Sequence, residues 1–502
     1  MPIFIKYFYF LARYDIILLK KYFIRKVTVI YMYTSYSAVA LEKIFSSAKS
    51  VYFIGIGGIS MSSLAHIALS GGMTVGGYDR TPSNLTRTLE KDGASVYYEL
   101  SPSHIDAYDV IVYTAAIARD NPELAYALEC DAKGEKYCVY RADFLGYLMS
   151  SHKNRIGVSG MHGKSTATSM ISHIFLATNT DPTIVSGAEL SAIGGAYRIG
   201  SKENFIMEAC EYQDSFLSFT PNIAVVLNID MDHPDYFKDL EQIITSFKNY
   251  LNIANNGHAV LNADCENTLR AAKDYAGTRV TFGLKNPADF TAENITFDHG
   301  KAEFDIIKRG DFLTHIKLTI TGRHNIMNAL AAAAAADICG VSPEAISKGL
   351  ESYTGAKRRM ELRGSVSDIT AKVPLYDDYA HHPTEIKATL SGALECGYDR
   401  VVVVYQPHTY SRTHELFDEF VGVFSECTAR GAHVIFADIY AAREENIYGI
   451  TSEMLAERVN GSVYLPSFEA IADYLRRELR ENDMLIVMGA GDIINLDKLL
   501  LE

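Results

Sequence analysis

The residues best suited to chemistry lie in RIGVSGMHGKSTATSM, residues 155–170. An apolar run leads into Gly160-Met161-His162-Gly163-Lys164-Ser165-Thr166, and a Ser/Thr/Ala-rich stretch follows as the first turns of a helix. Neither glycine carries a Cβ, so the backbone can bend closely around an anion. The amides of such a turn, with the positive end of the helix behind them, face a phosphate. Lys164 would then reach the β- and γ-phosphates of a nucleotide, and the Ser165 hydroxyl would hold Mg²⁺. The usual eight-residue phosphate loop has a glycine where Val158 stands, so the pattern here is the shorter Gly-x-x-Gly-Lys-Ser. A chance glycine turn would also satisfy it. The strand before and the helix after favour nucleotide binding.

Other candidates follow apolar runs. FIMEAC (205–210) carries Glu208, the layout of a Mg²⁺-binding acid at the end of a strand, although a lone glutamate there also serves as a helix cap or ion-pair partner. IAVVLNIDMDHPDYF brings Asp230, Asp232, His233 and Asp235 together after a strand, which suggests a cation site; a solvated loop is the alternative. In TGRHNIMNALAAAAAADICG, Asn328 leads a polyalanine helix. Its amide suits the N6/N7 edge of adenine, or it simply caps the helix. Gly55-Ile56-Gly57-Gly58-Ile59-Ser60 resembles a dinucleotide turn without its final glycine, and Asp79 ends the next strand. NAD, FAD, a UDP-sugar or plain strand–helix packing would all fit. Near the C-terminus, His381, His382, His408 and Arg412 each follow a buried strand. Side chains alternate along a strand, so at most one of Asp377 and Asp378 can be a site residue.

The elements that must position these residues are βα units. Strand-like runs alternate with helical stretches, which implies parallel sheets with ligands at their carboxyl edges. The last unit is set off by the charged hinge GAKRRMELRG (355–364) and adds four buried strands. Three sheets loaded at one edge suggest three ligand sites facing one cleft. At 502 residues, two to four domains are expected. Hydrophobic content of 48% with 22% charged residues is ordinary for a soluble globular chain, and a net charge of −14 argues against nucleic acid or an anionic membrane as partner. A phosphorylated ligand must therefore meet local Lys, Arg, Mg²⁺ and helix N-termini. The seven cysteines form no C-x-x-C pair and read as thiols of a reducing cytoplasm. No apolar run approaches the ~18 residues of a membrane span.

Together the motifs resemble the Mur ligases of bacterial cell-wall synthesis, from about Val51 to the C-terminus. GIGGISMS, TAAIARDNPE, GMHGKST, NIDMDHPDYF, GRHNIMNALAA, DDYAHHPTE, QPHTYSRT and MGAGDI occur in the family's order. DDYAHHPTE and QPHTYSRT fit the branch that adds L-alanine to UDP-N-acetylmuramate, not those adding glutamate, diaminopimelate/lysine or D-Ala-D-Ala. A tripeptide-recycling ligase is the alternative. The resemblance implies an α/β protein of three domains. These are a Rossmann-like UDP-substrate domain (46–152), a central P-loop ATPase domain (153–355) and a Rossmann-like amino-acid domain (356–502), after an N-terminal extension (1–45). It implies ATP and Mg²⁺, with an acyl phosphate made from the muramyl carboxylate and then attacked by the amine of alanine. It assigns the nucleotide to residues 160–166 with Asn325 and Asn328, and metal to Ser165, Glu208 and His233. The UDP-substrate falls to Gly55, Gly57, Gly58, Ser62 and Asp79. Lys164, Glu208, His233, His381 and Arg412 become the catalytic set. Domain closure around the substrates would keep water from the acyl phosphate. A monomer or a homodimer would fit.

The chain departs from the family at Met161, Ser165 and Thr409, where Thr, Thr and Arg are common, and at Ser60, which replaces the usual third glycine. No carbamylated lysine is assigned. Two other classes account for parts of the pattern. A nicotinamide-dependent dehydrogenase would use Gly55–Gly58 and Asp79 but leaves Lys164 unexplained; a non-catalytic P-loop regulator would not need DDYAHHPTE. Residues 1–31, aromatic and with six Lys/Arg against one acid, match neither a signal peptide with a clean cleavage site nor the rest of the chain. An interfacial amphipathic segment is possible there. Our expectation is that Met32 is the true start.

Overall fold

In the computed structural model, residues 36–501 are described, apart from 115, 119, 234, 235, 299, 356, 357 and 443. Residues 1–31 and Asp235 therefore lie outside the described residues. The chain divides into two compact units, one up to Ser151 together with Ser218–Thr220, the other His152–Leu217 with everything from Pro221 onward.

The first unit is built on a five-stranded parallel sheet of β1 (Ser50–Ile54), β2 (Thr74–Tyr78), β3 (Ser95–Tyr97), β4 (Val110–Tyr113) and β5 (Tyr137–Tyr140). Its order, β3-β2-β1-β4-β5, reverses direction at β1. The carboxyl end of β1, where the glycine turn leads into helix Ile59–Ser70, is thus a topological switch point.

The second unit holds two sheets. The larger has β6 (Asn154–Ser159), β7 (Thr183–Leu190), β8 (Gly195–Arg198), β9 (Asn204–Glu208), β10 (Ile223–Val226), β11 (His258–Asn262), β12 (Thr278–Phe282), β13 (Phe290–Asp298), β14 (Lys301–Lys308) and β15 (Asp311–Thr321). They run in the order β15-β14-β13-β12-β11-β10-β6-β9-β7-β8. The middle strands are parallel, whereas β13–β15 and the β7/β8 pair are antiparallel. The phosphate-loop strand β6 sits between β10 and β9. Its neighbours' carboxyl ends therefore bring Glu208 and the 227–233 segment to the loop.

The third sheet has β16 (Glu361–Ser365), β17 (Pro374–Asp378), β18 (Arg400–Tyr405), β19 (His433–Phe436), β20 (Val463–Tyr464) and β21 (Asp483–Met488), in the order β16-β17-β21-β18-β19-β20. Val401, Val403 and Tyr405 pack on one face, while Val402 and Val404 pack on the other. Both faces are covered, which is why these strands read as unbroken apolar runs. The 355–364 stretch is not a hinge throughout. Glu361–Ser365 pairs antiparallel with β17, because a sheet edge can take a short charged strand that the core cannot. Both Asp377 and Asp378 are buried with partners from the protein itself. Asp377 is buried against the Arg358 Nε at 3.1 Å, and Asp378 is buried, accepting the Met360 and Ala380 amides.

Candidate active site

The turn after β6 has the shape its glycines require. Gly163, with φ +84°, lies at the N-cap of helix Lys164–Leu176, and a Cβ there would come 2.8 Å from the Asn328 Oδ1. No side chain among the described residues caps this helix, so the amides of its first turn remain for an anion. Asn228, missed in the sequence, clasps the loop. Its carbonyl accepts the Met161 N–H at 3.3 Å, its Oδ1 accepts the His162 N–H at 2.9 Å, and its Nδ2 donates to the His162 carbonyl. The expectation that the amides of the turn face a phosphate thus narrows: those of Met161 and His162 anchor the loop to the end of β10. Met161 is buried, and the His162 side chain is exposed.

Lys164 donates to the Gly160 carbonyl at 2.6 Å, the Met161 carbonyl at 3.2 Å and Glu211 Oε1 at 2.9 Å. The same Glu211 oxygen lies 3.3 Å from the His233 Nε2. Glu211 is fully buried, and its Oε2 has no hydrogen-bond partner among the described residues. Burial pushes its carboxyl up, but the His233 hydrogen bond and the Lys164 charge outweigh this and hold it below the usual range. The Glu211 hydrogen bond in turn raises the His233 imidazole, against its burial. Glu211 was also missed: it lies three residues past the strand end, in a polar stretch that reads as an ordinary loop.

Ser165 Oγ donates to Glu208 Oε2 at 2.8 Å, and the Gly187 amide approaches the same oxygen at 3.3 Å. Asp230 and Asp232 do not join them; each accepts the amide of the residue that follows it. Among the described residues, no three His, Cys, Asp or Glu side chains converge on one point as a metal cage. One carboxylate and one hydroxyl, Glu208 and Ser165, with His233 held nearby by Glu211, fit Mg²⁺, which takes one or two protein carboxylates and fills its octahedron with phosphates and water.

Asn325 and Asn328 are buried on helix His324–Ile338, with the Asn328 Nδ2 donating to the Asn325 Oδ1 and the Asn325 Nδ2 to the Thr321 carbonyl. The helix starts at His324, one turn before Asn328, so Asn328 is no cap. Asn328 instead lies against Gly163, with Asn325 behind it. Thr166 is half-buried in the first turn after the loop.

In the first unit the glycine turn is largely self-satisfied. Gly55 donates to the Tyr78 carbonyl and Gly58 to that of Gly55, while Gly57 donates to Asp79 Oδ2 at 2.8 Å. A Cβ on Gly57 would lie 2.6 Å from that oxygen. Asp79 therefore builds the turn. Ser62 is buried with its hydroxyl on the Ile59 carbonyl, so it does not point to a ligand. A cation absent from the sequence reading stands here: Arg141 Nη1 donates to the Ser60 Oγ at 2.9 Å.

In the third sheet the His381 and His408 ring centroids are 6.1 Å apart, and Arg412 Nη1 lies 3.4 Å from the His408 Nδ1. Burial lowers both imidazoles, and the Arg412 charge lowers them further, which leaves them neutral near pH 7. His381 also lies 3.4 Å from Glu385. The His382 Nδ1 accepts the Thr384 amide and caps helix Pro383–Leu394.

Fold and site define a nucleotide-binding α/β protein with two further sheets carrying polar side chains at their carboxyl edges, and sequence profiles agree on its class. The Mur ligase middle domain matches residues 158–336, the Mur ligase family catalytic domain residues 50–153, and the Mur ligase glutamate ligase domain residues 358–491. The chain belongs to the Mur ligase family. It is 48% identical over 461 residues to the UDP-N-acetylmuramate–L-alanine ligase of Acetivibrio thermocellus, covering 90% of this chain and 96% of that one. The enzyme of the same name from Clostridium tetani is 45% identical over 460 residues, covering 90% and 98%. The solved UDP-N-acetylmuramate-alanine ligase of Thermotoga maritima superposes with a TM-score of 0.70 at 24% identity, covering 89% of this chain and 97% of that one. A murein peptide ligase from Psychrobacter arcticus gives 0.61 at 23%, covering 90% and 97%. These two structures bear on the fold alone.

Proposed function

We propose that this chain joins L-alanine to UDP-N-acetylmuramate with hydrolysis of ATP, in the making of peptidoglycan precursors in the bacterial cytoplasm. The observation that carries this reading is the identity of nearly half over nine-tenths of the chain to ligases of that name, with the Lys164 loop, Glu208 and the His381–Arg412 group present. A carboxylate is a poor electrophile toward an amine, so the muramyl carboxylate is first phosphorylated and the amine of alanine then displaces phosphate. Lys164 and the first-turn amides of its helix hold the nucleotide phosphates and offset the charge that builds during transfer. Ser165, Glu208 and His233 would hold Mg²⁺, which supplies charge neutralisation between the phosphates. Asn325 and Asn328 flank the nucleotide beside Gly163. Residues 46–152 take the UDP-substrate, with the Ile59–Ser70 helix start and Arg141 facing its diphosphate and Gly55, Gly57 and Asp79 shaping the turn. Residues 356–502 place alanine. Arg412 attracts its carboxylate, and the neutral His381 and His408 accept hydrogen bonds or protons there.

The test is phosphate release by the purified protein with ATP and Mg²⁺. Release should require both UDP-N-acetylmuramate and L-alanine. Efficient replacement of alanine by a murein tripeptide would favour the recycling ligase instead. Release without any UDP-sugar would reject both.

A further inference from the structure

An ammonium group has three protons to donate. In Lys164 all three are engaged: by the Gly160 carbonyl, the Met161 carbonyl and the Glu211 Oε1. The lysine expected to meet a phosphate is thus saturated, and its strongest partner is a buried carboxylate. Glu211 is itself incompletely paired, because its Oε2 is buried without a hydrogen-bond partner among the described residues. Two carboxylates, Glu208 and Glu211, stand at the loop against Lys164 and the His233 imidazole, which lies 3.3 Å from the same Glu211 oxygen. A nucleotide without a cation would meet a lysine whose charge is already balanced by Glu211, with the Glu208 carboxylate beside the loop, and Coulomb repulsion at such short range is large.

We infer that Glu211 makes nucleotide capture at this loop conditional on a divalent cation, by holding Lys164 in an ion pair that the added positive charge must relieve. The inference rests on the nucleotide reading above and assigns Glu211 a positioning role. It acts through Lys164 and His233, the two side chains it touches. A cation arriving with the nucleotide supplies the charge that Glu211 and Glu208 then face. Lys164 is released to the phosphates. The free anion cannot do this, and the site selects the metal–nucleotide complex over the bare nucleotide.

The experiment is calorimetric titration of the full chain with ADP, once with Mg²⁺ and once with EDTA. The wild type should bind ADP with Mg²⁺ and at least about tenfold more weakly in EDTA. In Glu211→Gln, which keeps shape and removes charge, affinity in EDTA should rise by about tenfold and the ratio between the two buffers should shrink toward one. A purely structural glutamate would lower both affinities together, and that result overturns the inference. Equal wild-type affinities in the two buffers overturn it as well, whether or not the glutamine variant folds. No ADP binding by the wild type in either buffer would instead reject the nucleotide reading.

Discussion

At the scale of single residues, the phosphate loop works by opposing charges at hydrogen-bond distance. Lys164→Ala and Glu208→Ala should each lower kcat by roughly 10²–10³, since each removes charge stabilisation at the transferred phosphoryl group. Glu208→Ala should melt close to the wild type, whereas Lys164→Ala, which strips the buried Glu211 of its cation, should melt lower; steady-state kinetics beside thermal melts would check both halves. His381→Ala and Arg412→Ala should raise the KM for alanine and depress turnover while leaving ADP affinity within about twofold, a split that titration and kinetics together would read. Substitution of glycine for alanine as substrate should cost only about 1–3 kcal/mol, the contribution of one methyl in a pocket. Lys164, Ser165, Glu208 and His233 were legible because each sits where an apolar run gives way to polar residues. Glu211, Asn228 and Arg141 were not. They lie one to three residues past a strand, or on a neighbouring helix, and only the strand order β10-β6-β9 and the turn after β1 bring them to the site. Ser62 and Asp79 show the converse: placed correctly along the chain, they turn their polar atoms to the backbone.

At the scale of elements, the parallel strands were readable and the antiparallel ones were not. β1, β6, β10, β18 and β21 are buried over most of their length and carry continuous apolar runs. By contrast β13–β15 alternate apolar and polar residues, since one face meets solvent, and their charged positions hid them among loops. The same distinction explains β16, an edge strand mistaken for a hinge. Helix Arg141–Ser150 carries a measurable weakness. Asp143 in its first turn is buried, and burial pushes its carboxyl up to about 6 despite a Ser218 hydrogen bond. Its folded value lies above the ordinary 3.8, so the folded state holds this proton more tightly than the unfolded chain. The contribution to stability is therefore greatest at low pH and falls as pH rises from about 4 to 6. Asp143→Asn should stabilise the protein above pH 6 by an amount on the order of 2 kcal/mol and lose that advantage near pH 4. Chemical denaturation at the two pH values would show it; an equal effect at both would mean that ionisation is not the cause.

At the scale of the whole molecule, the three-sheet α/β architecture was legible from the alternation of strands and helices and from eight motifs in order. The division into two compact units was not, since short stretches such as Ser218–Thr220 join a unit remote in sequence. Among the described residues no helix is long and apolar enough to cross a membrane. Ligand linkage offers a global check on the nucleotide site. ADP with Mg²⁺ at about a hundredfold excess over its Kd should add about 2.7 kcal/mol to the stability of the unit that binds it. Scanning calorimetry should register that gain in the wild type, and Lys164→Ala should lose most of it at the same ADP concentration.

The helix His324–Ile338 has a consequence that reaches beyond packing. Ala329 and Ala331–Ala336 are fully buried, and the helix lies against helix Lys164–Leu176 and against β10 to β13. A larger side chain at any of these buried positions should overpack the interior, at a cost of about 1–3 kcal/mol. Under random mutagenesis this stretch should therefore behave as an intolerant block, although none of these alanines is an assigned ligand contact. The damage would be felt at its other end: a helix levered outward carries Asn328 off Gly163, and with it the floor of the loop. Variation accumulating in this chain would be expected to leave that run of alanines nearly blank, a footprint of function written in residues that perform none.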